Sequence, residues 1–206
     1  MLQHFAIDAL LPRPWKNGGG STREIACWPP GAGLDDFDWR VSIASVAASG
    51  PFSVFAGVDR TIMLLAGDGL RLQAPGLDHR LDTLHAPFAF SGDAALHCTL
   101  LGGESIDLNA MSRRSRGRAG LRIVSEAMLL ARGEHGVLMS VNGQWRVGGS
   151  VLAKGQGVWW AGQSEQWSLA PASPGAKLVA MHWESFGKSD QIDSERASAE
   201  RDGTRK

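Results

Sequence analysis

Lys16, Asn17, Thr22 and Glu24 crowd around the run Gly18-Gly19-Gly20 in the segment PWKNGGGSTREIA, residues 14–26. Lys16 offers a mobile ammonium, Asn17 a donor and an acceptor, and Ser21 and Thr22 hydroxyls. Glycines lack a Cβ, so their backbone N–H groups can approach a ligand closely, as in anion-binding nests. Glu24 can orient Lys16 or an arginine, and Trp15 can wall the site. The inventory suits a small, polar, anionic ligand such as a carboxylate. A nucleotide-binding phosphate loop is excluded: Lys16 precedes the glycines, and no strand–loop–helix pattern surrounds them. The plainer alternative is a glycine-rich loop whose polar groups satisfy only its own backbone.

Arg40 and Ser42 are the next candidates. In WRVSIA, residues 39–44, Trp39, Val41 and Ile43 alternate with Arg40, Ser42 and Ala44, which is the period of a strand. An arginine that faces a barrel interior needs a partner, and its fork matches a carboxylate. One that faces outward is merely solvated. Asp59-Arg60 opens another strand and reads first as a structural ion pair. No metal centre is expected, because the histidines are dispersed without an H-x-H or H-x-x-x-H spacing, and Cys27 and Cys98 form no C-x-x-C. No cofactor is expected either. Nucleophilic catalysis lacks a G-x-S-x-G elbow, and His97 and Cys98 point to opposite faces of their strand. The tryptophans of the second half, including Trp159-Trp160, read as core or interface.

The elements that must position these residues are short strands. RTIMLL (60–65), LRLQA (70–74), APFAFSGD (86–93) and AALHCTLL (94–101) are strand-like, and the AGDG turn between the first two signals a hairpin. A second set follows: GLRIVSE (120–126), GVLMSVNGQWRVGG (136–149) with the hairpin signal Asn142-Gly143, GSVLAKGQGVWWAG (149–162), EQWSLA and AKLVAMHWES. EAMLLARGEHG (126–136) fits a helical turn or a strand and loop equally. Each set ends on a strand with a histidine, LHCTL and MHWES, which suggests an internally duplicated all-β architecture. The expected organisation is a lobe over residues 1–110, a basic linker over 111–119, a second lobe over 120–186 and a disordered polar tail over 187–206.

Composition narrows the function classes. Net charge is zero and the hydrophobic fraction is 43%. A core can form, while neither nucleic acid nor a membrane surface is an expected partner. The N-terminus lacks a signal-peptide pattern, and two cysteines are too few for a disulfide framework, so a cytoplasmic location is expected.

The order PWKNGGGSTREIA, then GAGLDDFDWRVSIASVAASGPFSVFAGVDRTIMLLAG, then FAFSGD, CTLLGG and DLNAMSRR closely resembles the HutD/Ves family over about residues 10–115. The resemblance implies an all-β bicupin with two cupin-like β-barrel lobes, commonly a homodimer. It also implies a link to histidine utilisation through binding of a small acidic metabolite such as N-formylglutamate, with no established catalytic activity. Carried over by position, the matching residues are Trp15, Lys16, Asn17, Gly18, Gly19, Gly20, Thr22 and Glu24, then Trp39, Arg40 and Ser42, then Phe52, Phe55, Gly57, Asp59 and Arg60, and later Phe90, Gly92, Asp93, Asp107 and Asn109. The chain lacks the His-x-His metal set of many cupins, and Leu108 stands where an aromatic is expected.

The ligand-binding set expected from residues and resemblance together is Trp15, Lys16, Asn17, Gly18, Gly19, Thr22, Glu24, Arg40, Ser42 and Arg60. Three readings stay open. The first is a non-catalytic carboxylate-binding protein that moderates histidine utilisation. The second is a metal-free cupin enzyme with Lys16, Glu24 and His97 as acid–base groups. The third is a partner-binding protein with a vestigial pocket.

Overall fold

The computed structural model describes residues 1–186. The tail expected over 187–206 lies outside the described residues. The fold is all-β. In chain order the strands are β1 (Leu2–Ala6), β2 (Arg13–Pro14), β3 (Gly20–Trp28), β4 (Trp39–Val46), β5 (Gly50–Pro51), β6 (Val58–Ala66), β7 (Leu70–Ala74), β8 (Leu77–Leu81), β9 (Pro87–Ser91) and β10 (His97–Leu100). They continue as β11 (Ser105–Arg113), β12 (Gly117–Val124), β13 (Met128–Gly133), β14 (His135–Asn142), β15 (Trp145–Val147), β16 (Ser150–Leu152), β17 (Gln156–Trp160), β18 (Glu165–Pro171) and β19 (Lys177–Ser185). A single 3-10 turn, Ile7–Ala9, is the helical content of the described residues. No helix among them is long and apolar enough to cross a membrane. The segment EAMLLARGEHG resolves into a strand, β13.

Four open sheets result, in the orders β5-β10-β7-β8, β2-β3-β4-β11-β6-β9, β1-β17-β14-β19-β12 and β13-β18-β15-β16. Apolar clusters fix how they stack. Ala44, Ile62, Leu64, Leu70, Leu72 and Cys98 join the first sheet to the second. Trp39, Val41, Ile43, Val137, Met139 and Met181 join the second to the third. Leu138, Trp145, Val158, Trp160 and Leu178 join the third to the fourth. The two central sheets are therefore covered on both faces. In β4 the alternation read from the sequence holds: Trp39, Val41 and Ile43 enter the central layer, and Ala44 enters the outer one.

The strand order repeats. β4-β11-β6-β9 with β5-β10-β7-β8 form a first sheet pair, and β12-β19-β14-β17 with β13-β18-β15-β16 form a second with the same order. A bulge recurs too. In the first pair the register of β11 on β6 shifts between Ile106 and Asp107; in the second, that of β14 on β19 shifts between Ser140 and Asn142. Strands β2 and β3 extend the repeat at β4, and β1 adds to β17 of the second pair's sheet.

The two hairpin signals act as corners. β6 and β7 lie in different sheets, and so do β14 and β15. Gly67 and Gly69 take φ of +90° and +97°, and Gly143 takes +67°, so the turn chemistry is as expected. Turn residues reverse the chain, but the strand that pairs next is chosen by burial. The basic stretch 111–119 comprises the end of β11, the start of β12 and the turn between them. Its charges are taken up locally. Arg113 donates to the Phe37 carbonyl at 3.0 Å, Arg114 pairs with Asp59 at 2.5 Å and with Asp93, and Arg118 pairs with Glu184 at 3.0 Å.

Candidate functional site

One face of the six-stranded sheet turns toward the β5-β10-β7-β8 sheet. That face would normally be apolar throughout. Ala44, Val46, Ile62 and Leu64 obey this. The cross-strand register, however, puts polar residues beside them on the same face. Glu24 stands opposite Ser42, Ser42 opposite Asn109, and Asn109 opposite Ile62. Met111 stands between Arg40 and Arg60, and Asp107 between Ala44 and Leu64. A polar belt thus crosses β3, β4, β11 and β6.

Arg40 is satisfied within the belt. Its Nε donates to Glu24 Oε2 at 2.7 Å and its Nη1 to Ser42 Oγ at 3.3 Å. Arg60 is not. It is only 5% exposed, and Nη1 donates to the Ser53 carbonyl at 3.2 Å, while Nε is buried without a partner. Phe52, Phe55 and Phe90 surround its guanidinium at 5.5, 5.3 and 5.0 Å, an arrangement that offers cation–π attraction in place of water. Burial lowers the Arg60 pKa to about 10, a shift that Asp107 opposes and Arg40 reinforces. Burial likewise pushes the Asp107 carboxyl up to about 7, only partly offset by Arg60. Asp107 Oδ2 and Asn109 Oδ1 are buried without partners. Cys98, across the interior, is pushed up to about 12 by burial first and Asp107 second.

Buried groups without partners are uncommon because each forfeits its hydration. Three of them, one donor and two acceptors, lie on one sheet face here. An arginine fork with a free N–H, held dry and ringed by phenylalanines, is suited to receive a carboxylate oxygen. Among the described residues no group of three His, Cys, Asp or Glu side chains is arranged to hold a metal ion.

The expected site residues divide into two groups. Thr22, Glu24, Arg40, Ser42 and Arg60 share the inner face. Trp15 joins them at one end: its Nε1 donates to Thr22 Oγ1 at 2.8 Å, and its ring packs on the same apolar cluster. Lys16, Asn17 and Gly18 are exposed at the tip of the β2–β3 hairpin. The glycine amides are used there. Gly18 N–H donates to the Trp15 carbonyl at 3.0 Å, and Gly19 N–H to Asn17 Oδ1 at 3.1 Å. Gly20 stands opposite Val46, and the stretch of β4 from Val46 to Arg40 spans about 20 Å at roughly 3.3 Å per residue. The hairpin tip and the two arginines therefore occupy opposite ends of the sheet. A Cβ on Gly20 would come within 2.2 Å of the Ser45 carbonyl and 2.9 Å of the Trp15 ring, so close packing explains that glycine. The acid–base trio Lys16, Glu24 and His97 does not converge, since Lys16 is at the tip and His97 is exposed on β10.

Asp107, Asn109 and the phenylalanine cage were not in the expected site. The signal for the first two is SIDLNAMS: Ile106, Leu108 and Ala110 alternate with polar partners, a pattern that normally marks a solvated face.

The HutD family profile matches residues 8–179. This chain belongs to the HutD family. Protein Ves of Citrobacter koseri is 40% identical to it over 162 residues, covering 77% of this chain and 83% of that protein. The structure of HutD from Pseudomonas fluorescens SBW25 superposes with a TM-score of 0.80 at 29% identity, covering 91% of this HutD-family chain and all of that one (100%). A cupin 2 conserved barrel domain protein from Leptotrichia buccalis superposes with a TM-score of 0.55 at 7% identity, over 88% of this chain and 96% of that one. That likeness concerns the fold alone, which is cupin-like.

Proposed function

We propose that this HutD-family chain is a non-catalytic binding protein for a small carboxylate metabolite, held on the inner face of the first sheet pair, and that its occupancy moderates histidine utilisation. In this reading the two sheet pairs are the two cupin-like barrel lobes of a bicupin. The first carries the ligand, with Arg60 as the primary anion receptor, Arg40 and Ser42 beside it, and Glu24 setting the pose of Arg40.

The observation that carries the reading is Arg60, a buried guanidinium with an unused N–H and no acidic group in ion-pair contact. A buried charge without a counter-ion is costly, and an incoming anion relieves that cost. The Pseudomonas fluorescens HutD structure was obtained in a formate condition, and formate is the smallest carboxylate.

The test is a thermal-shift screen of the metal-stripped protein with histidine, urocanate, N-formylglutamate, glutamate and formate, with product analysis alongside. A ligand bound only by the native state raises the melting temperature in proportion to ln(1 + [L]/Kd). One carboxylate is expected to do so, without product, and Arg60→Ala is expected to abolish the shift. No shift with any of them, or normal binding by Arg60→Ala, overturns the reading. Product formation turns it into the enzyme reading.

A further inference from the structure

Asp107 is the feature of the belt that a carboxylate receptor should not contain. It is 1% exposed, on the same face as Arg60 and Asn109. It accepts no hydrogen bond from any described residue, Oδ2 is sealed from solvent, and no cation lies in ion-pair contact with it. Two like charges in one dry site cannot both persist, and the weaker acid keeps its proton.

The groups that face Asp107 are few. From its own sheet they are Glu24 on β3, Arg40 on β4 and Arg60 on β6. Glu24 and Arg40 neutralise each other. From the opposite sheet they are Cys98 on β10 and, at the rim, His79 on β8, which shares a face with Leu72 and stacks on Phe88 at 3.5 Å. The inward residues of β7 are Leu70, Leu72 and Ala74, which do not ionise. The Cys98 thiol is neutral across the physiological range. Among these described groups Arg60 is the one cation without its own counter-ion, but it makes no ion-pair contact with Asp107 and offsets the burial only in part, so burial favours the carboxylic acid over the carboxylate. A carboxylic acid has one O–H to donate. None of the described residues accepts it.

Resting on the carboxylate-binding reading above, we propose that Asp107 sets the specificity of the belt: it enters the complex as a neutral carboxylic acid and donates its proton in a hydrogen bond to the bound anion. Arg60 supplies the charge and Asp107 the second donor. The site then takes up anion and proton together. At a pH where the empty site has already ionised, each bound anion draws one proton from solvent onto Asp107, and no other bond is made or broken. The preferred end group is a monoanionic carboxylate. A ligand that presented an ammonium to Asp107 would favour the ionised form and show the opposite pH dependence.

Two measurements on the full chain test this. The first is the 13C carboxyl titration of Asp107 without ligand, its resonance identified by its loss in Asp107→Asn. A midpoint near neutral pH is expected; a midpoint below pH 5 overturns the proposal, and the carboxyl shift reads Asp107 itself rather than His79. The second is formate binding by calorimetry from pH 6 to 9 in buffers of different ionisation heat. Affinity is expected to fall about tenfold per pH unit above roughly pH 7, with uptake approaching one proton, as follows from a single linked proton. Asp107→Asn, which keeps a donor, is expected to bind with no pH slope. Formate binding with a flat profile, or one rising with pH, overturns the proposal and leaves the carboxylate reading standing. No formate binding at any pH, with none of the screened carboxylates binding either, overturns both.

Discussion

Opposite Phe90 on β9 stands Arg60 of β6; at the equivalent place in the second sheet pair, opposite Trp160 on β17, stands Gly136 of β14. The shared bulge aligns the two pairs residue by residue. Asp107 corresponds to Leu178, Asn109 to Ala180, Met111 to His182 and Arg40 to Gly120. Both arginines of the first pair are glycines in the second; the buried Trp160 ring packs over Gly136, and the half-exposed His182 ring lies over Gly120. A Cβ on Gly136 would lie 2.5 Å from the Trp160 ring, and one on Gly120 would lie 2.2 Å from the His182 ring. The second interior is a packed apolar core of Leu138, Trp145, Val158, Trp160 and Leu178. Its buried atoms without partners are the indole N–H groups of Trp145 and Trp167, whereas in the first they are a guanidinium N–H of Arg60, a carboxyl oxygen of Asp107 and an amide oxygen of Asn109. The same strand order thus serves as filled scaffold in one pair and candidate receptor in the other, and the choice rests on a handful of inward positions. Glu24, which neutralises Arg40, comes from β3, a strand for which β12 has no counterpart.

Exchanging the paired residues should break this contrast most severely. Leu178→Asp places in the second interior what the first carries at 107. With Leu178 fully buried, the variant is expected to lose about 3 to 5 kcal/mol in urea unfolding, from lost apolar burial plus a desolvated carboxyl. A loss under about 1 kcal/mol would mean that the second interior accommodates a carboxyl as the first does.

The converse change should stabilise. The Asp107 carboxyl is raised from 3.8 to about 7 in the folded chain, so its native state binds the proton more tightly than the unfolded state does. The stability it contributes is complete below about pH 4 and is lost as pH rises through 7. Asp107→Asn is therefore expected to be the more stable protein at pH 8, by on the order of 3 kcal/mol, with the gap closing toward pH 4. A gap that is independent of pH would place the native carboxyl at its ordinary value.

His135 sharpens the comparison at the seam between the two central sheets. Its ring lies among Trp28, Trp39 and Trp183, at 5.2, 5.9 and 5.1 Å, with Nδ1 buried and unpartnered. Burial lowers its pKa, and the nearby acids Glu134 and Asp38 oppose that only in part. A lowered histidine stabilises while neutral, so its contribution is lost as pH falls below about 6.5. Between pH 7 and 5 the chain is expected to lose stability through this residue, and His135→Phe to remove that part of the loss. Denaturant titrations at both pH values decide it.

The smallest effect is expected at Glu24. Its side chain is 34% exposed and that of Arg40 12%, so solvent screens the pair. Glu24→Gln should cost less than about 1 kcal/mol in unfolding while tightening carboxylate binding, because Arg40 loses its internal counter-ion. Weaker binding would show that Glu24 matters for the pose of Arg40 more than for its charge.

Much of this was legible in the chain. The alternation of WRVSIA places Arg40 and Ser42 on one face, the GDG and Asn-Gly turns lie where chain reversals occur, and Cys98 is a core residue as its strand position implied. SIDLNAMS alternates just as plainly, yet alternation cannot say whether the polar side meets water or another sheet. The glycine run reads as a ligand cradle because its composition permits one. In the fold, Asn17 and Trp15 take up the amides of Gly19 and Gly18, and Gly20 is needed for close approach to β4.

Sequence by itself determined the strand periods, the turn positions, the family motifs and the identity of the charged residues, because each depends on neighbours along the chain. Tertiary structure alone decided that β6 and β7 face each other across an interior instead of pairing, that Arg60 lies dry among three phenylalanines, and that Asp107 is sealed without a partner. Those outcomes depend on which sheet covers which face. Covering a face removes water from groups far apart in the chain, and the removal of water turns an ordinary arginine and aspartate into a candidate receptor.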